Sequence, residues 1–146
     1  MKQLLLKKIH PFLFYVIFVF LLNFTWEALH APYLYVPHPF SMHFWPMIFY
    51  AASIDAIILF FMLLVGALVW RNKEWFAVMD YKKYLYFIIT AIAAAVFMEV
   101  RAVYFLHSWS YSNLMPIVFG VGLSPLTQLA LTGLLSIWLV RVLRQS

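Results

Sequence analysis

Three carboxyl side chains stand where an apolar chain has little reason to keep them: Glu27 at the end of one hydrophobic run, Asp55 inside a second and Glu99 near the end of a third. Asn23 lies four residues before Glu27 and so shares its helical face, and Gln128 in a fourth run adds a second amide. An isolated charge is costly in hydrocarbon, and ionisable groups within membrane spans mark functional sites by default. Carboxyl groups withdrawn from water are suited to proton transfer or to pairing with a cation. Glu27, Asp55 and Glu99 are therefore candidate catalytic residues, and Asn23, Trp26, Arg101, Trp109 and Gln128 are candidate ligand-binding residues around them. With three acids facing the single Arg101, at least one carboxyl is expected to hold its proton at neutral pH.

The runs that carry these groups read as membrane spans. Of 146 residues, 66% are hydrophobic and 10% charged, whereas soluble domains are about 45–50% apolar and about 25% charged. The mean hydropathy is +0.93. Taking about 20 apolar residues per crossing, spans are expected over about 9–29, 46–70, 84–106 and 121–140. The chain is then a single all-α domain, a four-helix transmembrane bundle. Lys2, Lys7 and Lys8 ahead of the first run suggest a signal peptide, but the run continues into Trp26, and Pro32 follows the one plausible small residue, Ala31. An uncleaved span is expected. The small residues Ala91, Ala93, Ala94 and Ala95 would let a neighbouring helix approach the third span closely.

Every lysine and arginine except Arg101 lies before the first span, in the 71–83 connector or after the fourth span. By the positive-inside rule both termini and that connector are cytoplasmic. The net charge of +5 then serves anionic lipid rather than nucleic acid, which is not an expected partner. This orientation puts the acids in the outer half of the bilayer, with Asp55 about nine residues, or about 14 Å, from the outer start of its span. The loop of residues 30–45 is expected to lie against the head groups through Tyr33, Tyr35, Phe40 and Trp45.

Spacing sharpens the grouping. Ser124, Gln128, Thr132 and Ser136 recur every fourth residue and form one polar stripe, which should face the bundle interior. Glu99 and Arg101 are about 200° apart on a helix, so Arg101 is expected to pair with Glu27 or Asp55 or to snorkel outward. Glu27 and His30 have the i,i+3 spacing of carboxylate-bridged di-iron bundles, but those need two such motifs and two further glutamates. No metal site is expected; Glu27, His30 and His107 come nearest to a ligand set. The absence of cysteine excludes disulfides and thiolate chemistry. Phosphate-loop, nucleophile-elbow, zincin and dinucleotide fingerprints are missing, so no cofactor is identified.

Two motifs, N-x-x-W-E over residues 23–27 and W-x-Y-x-x-x-M-P-x-x-x-G-x-G-x-S-P-x-x-Q over residues 109–128, resemble a group of small, uncharacterised four-span prokaryotic membrane proteins. The resemblance covers most of the chain. It implies the four-span fold and no activity. A cell inner membrane location is expected. In span count and acid placement the chain is also similar to the four-span sterol-isomerase and sigma-2-receptor fold, where intramembrane acids surround a hydrophobic ligand; that is analogy. Three readings stay open. The chain is an intramembrane enzyme or binding protein for a lipid-like or isoprenoid ligand; or a small proton- or cation-coupled transporter or ion-binding subunit, as a homo-oligomer because one short bundle leaves little room for a pathway; or a packing and assembly subunit without a site. Membrane lipid is a partner in each.

Overall fold

Each of the four apolar runs is helical in a computed structural model, which describes residues 11–37 and 43–145. Lys2, Lys7, Lys8, His38 and Phe40 lie outside the described residues. The helices are α1 (Pro11–Leu34), α2 (Phe44–Val69), α3 (Tyr81–Val100) and α4 (Leu123–Gln145). All four are long and apolar enough to cross a membrane, and the fold is the expected four-helix transmembrane bundle. The helices present a lipid-facing surface of Leu13, Ile17, Leu21, Phe61, Ile89 and Leu131, all exposed.

Local chemistry shifts the helix ends from their expected positions. α1 runs through Pro32 to Leu34 because its last carbonyls find donors elsewhere in the chain: Ser112 gives its N–H to Leu34 O at 2.9 Å and its hydroxyl to Tyr33 O at 2.6 Å. α3 begins at Tyr81 rather than near residue 84, because Asp80 caps it by accepting the Lys83 N–H at 3.1 Å. Beyond Val100, α3 widens into a π-helical turn, Arg101–Phe105, closed by Leu106 N–H on Arg101 O at 2.9 Å. α4 continues past residue 140, and Arg144 meets Glu74 of the connector at 2.9 Å.

The two loops without lysine or arginine are not simple head-group coils. They hold four short strands: β1 (Tyr35–Pro37), β2 (Trp109–Tyr111), β3 (Ile117–Val118) and β4 (Val121–Gly122). β1 pairs antiparallel with β2, Tyr35 opposite Tyr111, and β3 pairs with β4. The β3–β4 turn has positive φ at both Phe119 (50°) and Gly120 (84°), the geometry that suits the twist of a two-residue hairpin. These pairs cap the end of the bundle where α1 and α3 finish and α2 and α4 start.

At the opposite end the connector folds back as a 3-10 turn, Trp75–Ala77. The Trp75 ring lies flat against Gly66, where a Cβ would collide with it, and its indole N–H donates to Leu63 O at 3.0 Å. α2 packs along α1, α1 along α4 and α4 along α3, whereas α2 and α3 share few contacts. The core toward the connector is apolar: Tyr15, Val19, Leu59, Leu63, Phe76, Phe87 and Ile137 are buried there. Lipid chains are as apolar as these side chains, so burial alone does little to hold helices together in a bilayer. Small-residue contacts and polar bridges carry the specificity.

Candidate functional site

The main polar bridge sits where α1, α2 and α4 converge. Gln128 lies on the buried face of α4 because its stripe-mates Thr132 and Ser136 do, and all three are buried. Its amide nitrogen faces three acceptors: Glu27 Oε1 at 2.8 Å, Asp55 Oδ2 at 2.9 Å and Asn23 Oδ1 at 3.1 Å. An amide nitrogen has two hydrogens, so three acceptors compete for two donors. Asn23, fully buried, anchors the group by donating to Val19 O at 2.8 Å and accepting from the Thr132 hydroxyl at 3.1 Å. The one Thr132 hydroxyl hydrogen is shared between Asn23 Oδ1 and Gln128 O, the latter at 2.8 Å, and Ser136 returns its hydroxyl to Thr132 O at 2.7 Å, so the stripe needs no outside partners below Thr132.

Glu99 is held from another direction. Tyr111 donates its hydroxyl to Glu99 Oε2 at 2.7 Å, and Tyr35 donates to Oε1 at 3.4 Å. The β1–β2 pairing makes this possible by placing the two tyrosines opposite one another, with ring centroids 5.9 Å apart. Burial holds both phenols above their usual range. For Tyr35 the nearby Glu99 and Glu27 push further in the same direction, and for Tyr111 so does Glu99. Both therefore stay protonated donors at neutral pH. Neither tyrosine stood out in the sequence as a site residue. The available signal was the spacing of Trp109 and Tyr111, which two residues apart share one face of a strand.

Between these two anchor points lies a cavity of about 350 Å³, bordered by Glu27, Asp55, Glu99, Arg101, Trp109 and Gln128 together with apolar side chains such as Ile48, Ile54, Met98 and Leu129. Six of the eight residues singled out by sequence thus meet at one cavity. Asn23 stands behind it, as the support of Gln128. Trp26 does not border the cavity; its indole N–H donates to Ser124 Oγ at 3.1 Å, and its ring stacks on His30 with centroids 4.6 Å apart. Trp109 borders the cavity, and its buried indole N–H is directed at Glu99 without the geometry of a full hydrogen bond.

Arg101 differs from one of its two expectations. It pairs with no acid among the described residues and is instead exposed at the cavity border, the outward alternative. The reason is angular: Glu99 is buried, and a residue two positions on points to the other side of the helix. His30 ring Nδ1 lies 3.0 Å from Trp26 O, a local contact within α1. Among the described residues no three His, Asp or Glu side chains gather as a metal would require.

A four-helix bundle of membrane-spanning length with an acidic cavity at one end defines a multi-pass membrane protein. No protein-family model, curated protein or solved structure matches the chain.

Proposed function

We propose that this protein resides in the cell inner membrane with both termini cytoplasmic and binds a hydrophobic, lipid-like molecule in the cavity beneath its β-strand cap. Glu27, Asp55 and Glu99 are the acid–base or ion-pairing groups that meet the bound molecule, and Asn23 and Gln128 hold two of them in place. The observation that carries this reading is the cavity itself, about 350 Å³ with apolar walls and three carboxyl groups on its border. Its volume falls at the small end of ligand sites, which are about 300–1,000 Å³. A subunit that used these acids for packing alone would be expected to close over them.

The transporter reading has less support, because the core between the cluster and the connector is filled by Leu59, Phe87 and Ile137, a closed floor rather than a water path. The test is to extract the protein from its native membrane with the surrounding lipid and identify by mass spectrometry what remains after delipidation. A retained apolar compound, lost in Glu27→Gln while helix content is kept, is the expected result. A Glu27→Gln protein that no longer folds would favour the packing role, and a wild-type protein that retains nothing would count against the binding role.

A further inference from the structure

α2 and α3 part toward the cavity. Two of their contacts, Tyr86 hydroxyl to Met62 O at 3.1 Å and the Trp70–Tyr86 ring pair, lie near the connector. At the other end the cavity lies between them, bordered by Ala51 and Asp55 on one side and Ala95 and Glu99 on the other. The border residues that remain exposed include Phe44 and Tyr50 on α2 and Arg101 and Leu106 beyond α3. Among the described residues the mouth therefore opens sideways between two membrane helices. Tyr50 also borders a second, lipid-facing groove formed with Phe24, Trp45 and Phe49. The cavity has room for a lipid head group, and the groove offers an apolar seat for a chain that stays outside.

The polar inventory of the cavity is lopsided. Glu27 and Asp55 each engage Gln128 with one oxygen, and the second oxygen of each has no donor among the described residues. At the mouth the imbalance reverses. Arg101 has no acidic partner among the described residues. Arg101 also opens the π-helical turn, a distortion often found at functional sites. An ammonium group, with three N–H donors and no acceptor, complements the floor, and a phosphate complements a guanidinium.

Building on the binding function above, we propose that the occupant is a bilayer lipid whose zwitterionic head carries a primary ammonium and a phosphate. The ammonium reaches Glu27 and Asp55, the phosphate stays at the mouth with Arg101, and the acyl chains lie outside past Tyr50. A purely anionic head would bring its charge to three carboxyl groups. A simple amine would leave Arg101 unmatched, and a trimethylated ammonium has no N–H to donate.

The test is a binding titration of the delipidated full-length protein in mild detergent, read by native mass spectrometry. The probes are dioleoyl phosphatidylethanolamine, phosphatidylcholine and phosphatidylglycerol, with oleylamine and soluble phosphoethanolamine as single-feature controls. The ethanolamine lipid should bind at least about tenfold tighter than the other two lipids. Arg101→Gln should weaken it about tenfold while sparing oleylamine, and the double variant Glu27→Gln, Asp55→Asn should erase the preference over the choline lipid. Equal binding of choline or glycerol lipid, or an Arg101→Gln protein with unchanged preference, would overturn the two-point head-group assignment. Phosphoethanolamine binding as tightly as the lipid would overturn the bilayer source. Where a variant loses helix content, the wild-type lipid panel decides alone. If no amphiphile binds, oleylamine included, the cavity-binding function fails with it; binding of a different head group sinks only the assignment.

Discussion

Gln128 on α4 donates its side-chain N–H to Glu27 on α1 at 2.8 Å, across 101 residues of chain. The same nitrogen serves Asp55 and Asn23, so one amide ties together three helices. Gln128→Leu removes both hydrogens at once, stranding the Glu27 and Asp55 oxygens that face them and leaving Asn23 Oδ1 only the Thr132 hydroxyl. Stability should fall by about 1–3 kcal/mol, the cost of stranding buried polar groups. Reversible unfolding in mixed micelles measures it, and an unchanged stability would show that the bridge contributes little.

Tyr15 makes the opposite case. Its ring is fully buried near Phe76, with centroids 6.4 Å apart, and its hydroxyl has no hydrogen-bond partner among the described residues. Removing an unsatisfied buried hydroxyl relieves a penalty without breaking a bond, so Tyr15→Phe should leave stability unchanged or raise it by about 1 kcal/mol. A marked loss would mean that the hydroxyl has a bridging water.

The strand cap has a pH signature. The Tyr35 and Tyr111 phenols are raised by burial and by Glu99, so they resist ionisation in the folded protein more than in the unfolded chain. Their contribution to stability is complete below the unfolded value of about 10 and is lost as pH rises above it toward the folded values. Stability should decline through that alkaline window, and the decline should be shallower in the double variant Tyr35→Phe, Tyr111→Phe. Thermal unfolding between neutral and strongly alkaline pH tests this; identical slopes in the two proteins would contradict it.

Close helix approach is a third load. A Cβ on Gly133 would lie 2.6 Å from the Phe87 ring and 2.9 Å from Leu59, closer than any real contact allows. Gly133→Ala should therefore push α4 away from α2 and α3 and cost about 1–3 kcal/mol. The same substitution paired with Phe87→Leu should recover part of the loss, and a double-mutant cycle with no coupling would refute the steric account.

The legible part of the site was that set by helical periodicity. Gln128, Thr132 and Ser136 share a buried face, Asn23 and Glu27 meet the same partner, and Glu99 and Arg101 diverge, one buried and one exposed. Each follows from 3.6 residues per turn, whatever the neighbouring helices do. Tyr35 and Tyr111 were not legible. Their link to Glu99 depends on strand pairing between loops 74 residues apart, shown by Val36 opposite Ser110, and no local spacing encodes that register. Trp26 sits next to Glu27 in sequence yet turns toward Ser124, because consecutive helical residues point about 100° apart.

The sequence by itself determined the solvent and the number of spans, because the length and polarity of an apolar run answer directly to the thickness of the bilayer. It also singled out the three acids that border one cavity, because each interrupts an apolar run. Only the tertiary structure decided that Arg101 stands free of the acids, that α2 and α3 part to leave a cavity, and that the two loops pair over its end. Those outcomes depend on which helices touch, and in an apolar solvent that choice rests on a few small residues and shared hydrogen bonds rather than on hydrophobicity.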